Sequence, residues 1–233
     1  MTDSTSKTAL IVGASRGLGL GLVEDYLGRG WRVIATVRPG SSAEMFAALQ
    51  AAHREALTIE RVDINLPETV AALRQRLAPA SLDLLFVNAG VSLGAADNVS
   101  TVTDDEFAHL MVTNALSPMR VITALLPSVK PAGSVAAMSS RLGSVALNTD
   151  GAWEVYRASK ASLNTLMRSF ALRQSDGRTY LCVSPGWVRT DMGGDEAPLD
   201  VATSVAGMAS AIEARAGATG AHYVDYENHP IEW

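Results

Sequence analysis

Short apolar segments alternate with helix-patterned segments along the whole of this 233-residue chain. A run of about four to eight apolar residues bounded by turn residues is typical of a buried strand, and apolar residues three and four apart are typical of a helix that covers a sheet. Strands that alternate with helices form a parallel sheet with helices on both faces. The pattern therefore predicts an α/β fold with seven strands, at residues 8–12, 32–36, 58–62, 82–87, 134–138, 180–183 and 221–224.

The first predicted strand runs directly into a glycine-rich turn, and an apolar helical pattern follows. The turn reads Gly13-Ala14-Ser15-Arg16-Gly17-Leu18-Gly19. Such a turn lets backbone N–H groups and the positive end of a helix approach a pyrophosphate, because glycines leave out side chains that would block the contact. It predicts a dinucleotide site. Its spacing differs from the commoner G-x-G-x-x-G fingerprint, and a tight strand-to-helix connection without a ligand is the alternative.

A second signal is the pair Tyr156 and Lys160, four residues apart in an apolar, alanine-rich segment. On a helix this spacing puts both side chains on one face. A free phenol has a pKa near ~10, and we expect an adjacent ammonium to lower that pKa, so that the tyrosine can act as acid or base. With the hydroxyl of Ser140 upstream, the set predicts proton transfer at a carbonyl. The alternative is that Tyr156 is a core residue and Lys160 a solvated charge.

These signals together resemble the short-chain dehydrogenase/reductase family, and the likeness extends over nearly the whole chain. Further motifs match in order: Val62-Asp63-Ile64, Asn88-Ala89-Gly90, Thr113-Asn114-Ala115-Leu116, Ser139-Ser140-Arg141-Leu142-Gly143 and Pro185-Gly186-Trp187-Val188-Arg189-Thr190. The last motif and the Trp233 end resemble the sniffer- and C-factor-type carbonyl reductases of that family. The resemblance implies a single Rossmann-type doubly wound domain over residues 1–233, with strand order 3-2-1-4-5-6-7 and a flexible N-terminus at residues 1–7.

The resemblance implies catalytic roles for Ser140, Tyr156, Lys160 and Asn114. Tyr156 would donate a proton to the carbonyl oxygen as hydride arrives from the nicotinamide, and Ser140 would hold that oxygen by a hydrogen bond. Lys160 would lower the pKa of the phenol and bind the ribose. Asn114 would anchor a water that links Lys160 to solvent, and a structural bridge between backbone groups is its alternative role. Ser139 competes for the serine role, but Ser140 stands three residues before Gly143, as in the family motif.

The end of the second strand bears on the choice of cofactor. An acidic residue there would bind the adenosine ribose hydroxyls and repel a 2′-phosphate, and this chain has Arg38 instead. Arg38 and Arg16 could converge on a phosphate by charge-assisted hydrogen bonds, which favours NADP(H) over NAD(H). The alternative is that both arginines face solvent. The resemblance makes Asp63 the adenine contact, whereas a lone strand-end carboxylate can equally cap the next turn.

The resemblance implies a cofactor site along the carboxyl ends of the strands. Its residues would be Gly13, Ser15, Arg16, Gly17, Leu18, Gly19, Arg38, Asp63, Ile64, Asn88, Ala89, Gly90, Tyr156, Lys160, Pro185, Val188 and Thr190. Thr190 and the Val188 backbone resemble the family's clamp on the nicotinamide carboxamide, and a plain Pro-Gly turn is the alternative.

Apolar side chains would line the substrate side, which predicts a small, largely apolar carbonyl or alcohol as the partner molecule. They are Leu142, Leu147, Trp153, Trp187 and Met192. The segment 191–199 is shorter than the lid that many relatives carry here. We therefore expect an open pocket and a broad substrate range.

Composition excludes some partners. The net charge of −5 and the scattered arginines argue against nucleic acid or an anionic membrane surface. Residues 1–7 lack the apolar core of a signal peptide, and no stretch approaches the ~18 uninterrupted apolar residues of a membrane span. We expect a cytoplasmic protein.

Cysteine and histidine usage predicts neither a disulfide nor a metal site. Cys182 is the only cysteine, and its apolar surroundings predict a small buried strand residue. The four histidines are scattered, and none has a ligand-like neighbour at helical or hairpin spacing.

Other functions stay open at this point. An epimerase or dehydratase could use the same tyrosine, but such relatives usually carry a larger substrate domain and a different glycine spacing. A protein of this fold that binds NADP(H) as a sensor or signal, without turnover, is the alternative from another class. Apolar helix faces around residues 114–126 and 153–170 resemble those that pair in family homodimers and homotetramers, but they could equally pack within one chain.

Overall fold

All seven predicted strands are present in the computed structural model, which describes residues 6–79, 81–94 and 97–233. They pair in parallel in the order β3-β2-β1-β4-β5-β6-β7, as predicted. The strands are β1 (Thr8–Val12), β2 (Arg32–Val37), β3 (Leu57–Arg61), β4 (Leu82–Val87), β5 (Val129–Met138), β6 (Thr179–Ser184) and β7 (Gly220–Asp225). Most of the expected flexible N-terminus, residues 1–5, lies outside the described residues.

Each connection between successive strands contains a helix, as the alternating pattern predicts. The helices are α1 (Gly17–Gly28), α2 (Ala47–Ala52), α3 (Pro67–Arg76), α4 (Asp104–Met111), α5 (Ser117–Leu125), α6 (Glu154–Gln174) and α7 (Val201–Ala214). A π-helical turn, Val112–Leu116, joins α4 to α5 without a break. Such turns widen a helix locally and often occur at functional sites.

The core lies on both faces of the sheet, because successive strand residues point to opposite sides. On β1, Leu10 and Val12 join the cluster formed with α3, α5 and α6, whereas Ala9 and Ile11 join the cluster formed with α1 and α7. Burial on both faces explains why the strands read as continuous apolar runs rather than as alternating ones.

The fifth strand begins earlier than predicted, at Val129 rather than at residue 134. Pro131 and Gly133 disfavour a strand by local propensity, and the pairing with β4 shifts register between Leu82 and Leu84. Lys130 nevertheless fixes this end of the strand through a bidentate ion pair with Asp83, at 2.8 and 2.9 Å.

One helical stretch among the described residues, Asp104–Ser128, is long and apolar enough by composition to cross a membrane, with a mean hydropathy of 1.2. The sequence-based expectation counted only uninterrupted apolar runs and did not single this helix out. In the fold, 56% of its apolar window is buried. Its apolar residues are therefore those of a core helix that packs on the sheet.

The order of the strands reverses between β1 and β4, which are neighbours in the sheet although they are distant in sequence. In open parallel sheets such a switch point leaves a crevice beyond the carboxyl ends of the strands, where ligands bind. The glycine-rich turn follows β1 and Asn88 follows β4, so both motifs face this crevice.

Candidate active site

The glycine-rich turn is locked against the end of β4. Asn88 Nδ2 donates to the carbonyl oxygen of Gly13 at 2.6 Å, and Gly13 N donates to Thr36 Oγ1 at 3.0 Å. Gly13 has a φ of +87°, and a Cβ there would lie 2.9 Å from Ala89. A Cβ on Gly19 would lie only 2.2 Å from the Gly13 carbonyl oxygen. Both positions therefore need glycine, and the backbone of the turn stays bare.

The helix that follows this turn has no side-chain cap. Arg16 occupies the position before α1, and its side chain does not bond the N–H groups of the first turn. A helix start leaves such N–H groups unsatisfied and carries partial positive charge. A bare glycine backbone beside an uncapped helix start fits the pyrophosphate of a dinucleotide.

The structure brings Tyr156 and Lys160 together on one face of α6, with Lys160 Nζ 5.6 Å from the centre of the phenol ring. Lys160 is only 3% exposed, and its Nζ donates to the Met138 carbonyl oxygen at 2.8 Å. Burial lowers the pKa of Lys160 to about 8. The ammonium is held, partly dehydrated, beneath the phenol.

The pKa of Tyr156 moves in the direction opposite to the one expected from the sequence. Burial raises this pKa to about 12, a nearby hydrogen bond from Ser140 lowers it, and the charge of Asp97 raises it further. The expectation that Lys160 lowers the phenol pKa is wrong for this structure, because burial of the phenol is the largest influence and Lys160 is not among the groups that shift its pKa. The phenol is held in its protonated form.

The two adjacent serines have different surroundings. Ser139 is buried, and its hydroxyl donates to Asn164 Oδ1 at 2.7 Å. Ser140 Oγ accepts from Leu142 N at 3.2 Å and interacts with the phenol of Tyr156. Strand geometry explains the difference, because neighbouring residues point to opposite sides.

Asn114 lies in the π-helical turn, and its side chain binds both backbone groups of Val91 in a neighbouring loop. Its Oδ1 accepts from Val91 N at 2.8 Å, and its Nδ2 donates to Val91 O at 2.9 Å and to Ser159 Oγ at 3.0 Å. A Cβ on Gly90 would lie 3.3 Å from Asn114 Oδ1 and 3.4 Å from Lys160 Nζ. Asn114 thus forms a bridge between backbone groups, which was the alternative to a catalytic role. It also lies close to Lys160.

The two arginines expected to share a phosphate have different surroundings in this structure. Arg16 forms an ion pair of 2.5 Å with Asp191, a residue 175 positions away beyond β6. Arg38 follows β2 and is exposed, which agrees with the alternative that this arginine faces solvent. Sequence reasoning missed Arg61, whose guanidinium donates to the carbonyl oxygens of Ser41, at 2.9 Å, and of Arg38, at 3.4 Å. The pairing of Val37 with Arg61 brings this third cation to the Arg38 loop.

Asp63 and Ile64 follow β3. One carboxylate oxygen of Asp63 accepts from Asn65 N at 2.9 Å, which is the turn-capping contact named as the alternative. Ile64 is buried in the core cluster. Among the described residues, no hydrogen bond reaches the second carboxylate oxygen of Asp63.

The segment after β6 turns toward the glycine loop. Gly186 has a φ of +79°, and Val188 pairs with Leu199 as an isolated bridge. Thr190 lies close to the glycine turn, since a Cβ on Gly17 would be 3.7 Å from Thr190 Cγ2. The clamp motif and the glycine motif therefore flank one cleft.

The predicted substrate side carries exposed apolar side chains. Trp187 is 57% exposed and Met192 is 47% exposed. The ring of Trp153 packs edge-on against Tyr156, with 6.2 Å between centroids. Leu142 is partly buried, and Leu147 packs against the core.

The expectation that no histidine has a ligand-like neighbour is wrong for His229. Asp225, Glu227 and His229 bring one side-chain atom each to within 4.8 Å of one another in the loop after β7. Asp225 Oδ1 already accepts from the backbone N–H of Glu227 and of His229, at 3.0 and 2.8 Å. The carboxylate closes a turn.

The comparisons with known proteins agree with this geometry. The family described as short chain dehydrogenase matches residues 7–199. C-signal of Myxococcus xanthus is 36% identical over 165 residues, which cover 70% of this chain and 99% of that protein.

Two solved structures cover 98% of this chain and the whole of their own chains. A carbonyl reductase from Pseudomonas aeruginosa PAO1 in complex with NADP superimposes with a TM-score of 0.91 at 39% identity. The carbonyl reductase Sniffer of D. melanogaster superimposes with a TM-score of 0.88 at 30% identity.

Proposed function

This chain belongs to the short-chain dehydrogenase/reductase family of oxidoreductases, and from that premise we propose that it transfers hydride between NADP(H) and a small, largely apolar carbonyl or alcohol. Tyr156 is the general acid and base of the reaction. The family and the NADP-bound neighbour support nicotinamide-dependent oxidoreduction. The substrate class and the residue roles are our proposal.

The convergence of Tyr156, Lys160 and Ser140 beside the bare glycine turn carries the proposal. The nicotinamide, when bound, supplies or accepts the hydride. Ser140 holds the substrate oxygen by a hydrogen bond, and Tyr156 donates its proton to that oxygen. Lys160 contributes a positive charge below the phenol, and Asn114 holds the Val91 backbone beside that charge. Residues 1–233 act as one NADP(H)-binding domain.

The protonation state of the phenol suits it as the proton donor of carbonyl reduction at neutral pH. A phenol with a pKa near 12 keeps its proton there and is ready to donate it. Oxidation of an alcohol needs the phenolate, and we expect it to require alkaline pH.

The exposed arginines at the adenosine end support NADP(H) rather than NAD(H). Arg38 stands where NAD-binding relatives need a carboxylate, and Arg61 adds a second guanidinium to the same loop. Arg16 can exchange its contact with Asp191 for a contact with phosphate, because both side chains are exposed.

The exposed apolar side chains at the mouth support an apolar or aromatic carbonyl and a broad range of substrates. Trp153, Trp187 and Met192 are exposed and apolar, and such surfaces accept apolar carbonyls of different shapes. Tight selectivity for one ketone in a substrate panel would count against this part of the proposal.

The experiment follows NADPH absorbance with a panel of aldehydes, ketones and quinones, for the native chain, Tyr156→Phe and Tyr26→Phe. We expect the native chain to consume NADPH and Tyr156→Phe to be slower by at least about 100-fold. Tyr26→Phe is the matched control, because the buried Tyr26 hydroxyl has no hydrogen-bond partner among the described residues.

The second candidate is a sensor or signalling protein that binds NADP(H) without turnover, which the likeness to C-signal favours. Binding of NADPH with no turnover of any substrate in the panel would support this candidate and reject the enzyme.

A further inference from the structure

The helix that carries Tyr156 begins without a cap of its own. Trp153 holds the position before α6 in a left-handed conformation, with φ 61°, and its side chain makes no capping hydrogen bond. The first N–H groups of a helix have no partner within the helix. The N–H groups of Val155 and Tyr156 must therefore be satisfied from another segment.

Asp97, in the loop between β4 and α4, supplies those contacts. Its Oδ1 accepts from Val155 N at 2.7 Å, and its Oδ2 accepts from Tyr156 N at 3.0 Å. Asp97 is only 8% exposed, and it lies 58 residues before Val155 in sequence. A carboxylate at a helix start also interacts favourably with the helix dipole.

The contact is reciprocal. Glu154, the first residue of α6, accepts a hydrogen bond from Val99 N at 2.7 Å through its Oε2. This is the logic of a capping box, in which each segment satisfies the other's backbone, but here the partners come from two distant segments. The start of α6 and the loop at residues 97–99 are thus fixed to each other.

The same loop is fixed at its other end by Asn114. Asn114 binds both the N–H and the carbonyl oxygen of Val91. The hydroxyl of Ser159, on α6, accepts from Asn114 Nδ2 at 3.0 Å and donates to the Tyr156 carbonyl oxygen at 2.7 Å. The N–H of Tyr156 therefore donates to Asp97, and its carbonyl oxygen accepts from Ser159. Its backbone is held on both sides.

We propose that Asp97 is a positioning residue for the reaction assigned to Tyr156, because it fixes the backbone of the tyrosine and places a negative charge near the phenol. The inference rests on the proposed function. Asp97 does not touch the reacting atoms and acts only through Tyr156.

Three elements place polar side chains near the phenol: Ser140 after β5, Lys160 on α6 and Asp97 from the loop after β4. Of these, Asp97 disfavours the phenolate. Removal of its charge therefore moves the loss of the phenol proton to lower pH. The carboxylate thus favours the acid form that carbonyl reduction needs.

The experiment compares Asp97→Asn and Asp97→Ala with the native chain, with NADPH and 4-nitrobenzaldehyde as the probe substrate. The part of the alkaline limb that follows the phenol, above the loss of the Lys160 charge near pH 8, should move down by about half a pH unit to one unit in both variants. In Asp97→Ala, kcat should also fall by about tenfold or more, because the first turn of α6 loosens. Asp97→Asn keeps an acceptor oxygen and should recover most of that loss.

Amide hydrogen exchange at Val155 and Tyr156 gives a readout that does not need turnover. We expect faster exchange at both amides in Asp97→Ala. Asp200→Ala is the matched control, since Asp200 Oδ1 caps α7 by accepting from Thr203 N at 2.7 Å. It should loosen α7 and leave the alkaline limb in place.

The possible results are distinct. An unshifted alkaline limb in both Asp97 variants, or native exchange rates at Val155 and Tyr156 in Asp97→Ala, overturns the inference. A native chain that oxidises no NADPH with any carbonyl rejects the proposed function, and the role assigned to Asp97 falls with it. A shifted limb with faster exchange supports the inference.

Discussion

The floor of the site and its rim are built in opposite ways. The floor, formed by Asn114, Ser140, Tyr156 and Lys160, is largely buried, and its side chains are bound by backbone groups or by one another. The rim, formed by Arg16, Arg38, Trp187 and Met192, is exposed.

The difference suggests that proton transfer belongs to the floor and that the choice of cofactor and substrate belongs to the rim. Dehydration in the floor shifts the pKa of Tyr156 upward and that of Lys160 downward, so the floor determines where the proton resides. At the rim, solvent screens the charges and leaves the side chains free to adapt. Substitutions in the floor should therefore change the rate, and substitutions at the rim should change affinity and preference.

Lys160→Met is expected to have the largest effect. We predict a fall in kcat of about 100-fold or more, because the phenolate formed on proton transfer loses its cation. Turnover is measured through NADPH absorbance. Lys130→Met, near the start of β5, is the control and should keep native turnover, since Lys130 pairs with Asp83 near the start of β4.

The same substitution should stabilise the fold at pH 7, by about 1 to 2 kcal/mol, because it removes a buried charge. The folded-state pKa of Lys160 is about 8, below its ordinary value of 10.5, so the unfolded chain binds this proton more tightly between those pH values. Native stability gains from this group as pH rises through that window. Urea unfolding should show a smaller advantage of Lys160→Met at pH 10 than at pH 7; an equal advantage at both would contradict a dehydrated lysine.

Gly19→Ala tests the glycine-rich turn at residues 13–19, the cradle that we expect to hold the pyrophosphate. The new Cβ would meet the Gly13 carbonyl oxygen at 2.2 Å, so the turn must shift, and we expect NADPH affinity to fall by about tenfold or more. Gly28→Ala, in the same helix, meets nothing within 4 Å and serves as the control. Equal NADPH affinities for the two variants, measured by calorimetry, would show that the cradle does not hold the cofactor.

Arg38→Asp tests the rim and should have the smallest effect on the rate itself. We expect the ratio of kcat/KM for NADPH over NADH to fall by about tenfold or more, because a carboxylate repels the 2′-phosphate and binds the ribose hydroxyls. Arg32→Asp, at the exposed start of the same strand, is the control. An unchanged ratio in Arg38→Asp would mean that this arginine does not contact the phosphate.

The fold was largely predictable from the sequence, because burial on both faces makes each strand an apolar run and each crossover an amphipathic helix. The one large boundary error, at the start of β5, arose because Pro131 and Gly133 hide a strand that pairing with β4 imposes. Tertiary pairing overrides local propensity there.

The site was predictable only where its residues form local motifs. Tyr156 and Lys160 share a helix face by their spacing alone. The partners of Arg16 and of the α6 start are 175 and 58 residues away, and no local pattern identifies Asp191 or Asp97. The direction of the phenol pKa depended on burial, which residue spacing does not reveal.

The most direct test of the account is the pH dependence of single-turnover NADPH oxidation in the native chain and in Tyr156→Phe. The account predicts that the native rate constant declines at alkaline pH in two parts, as Lys160 loses its charge near pH 8 and as the phenol loses its proton at higher pH. It predicts that Tyr156→Phe is slow at every pH and lacks the part of the decline that belongs to the phenol. A Tyr156→Phe variant that reduces the carbonyl at the native rate, or that keeps the same alkaline decline, would contradict the claim that this phenol supplies the proton.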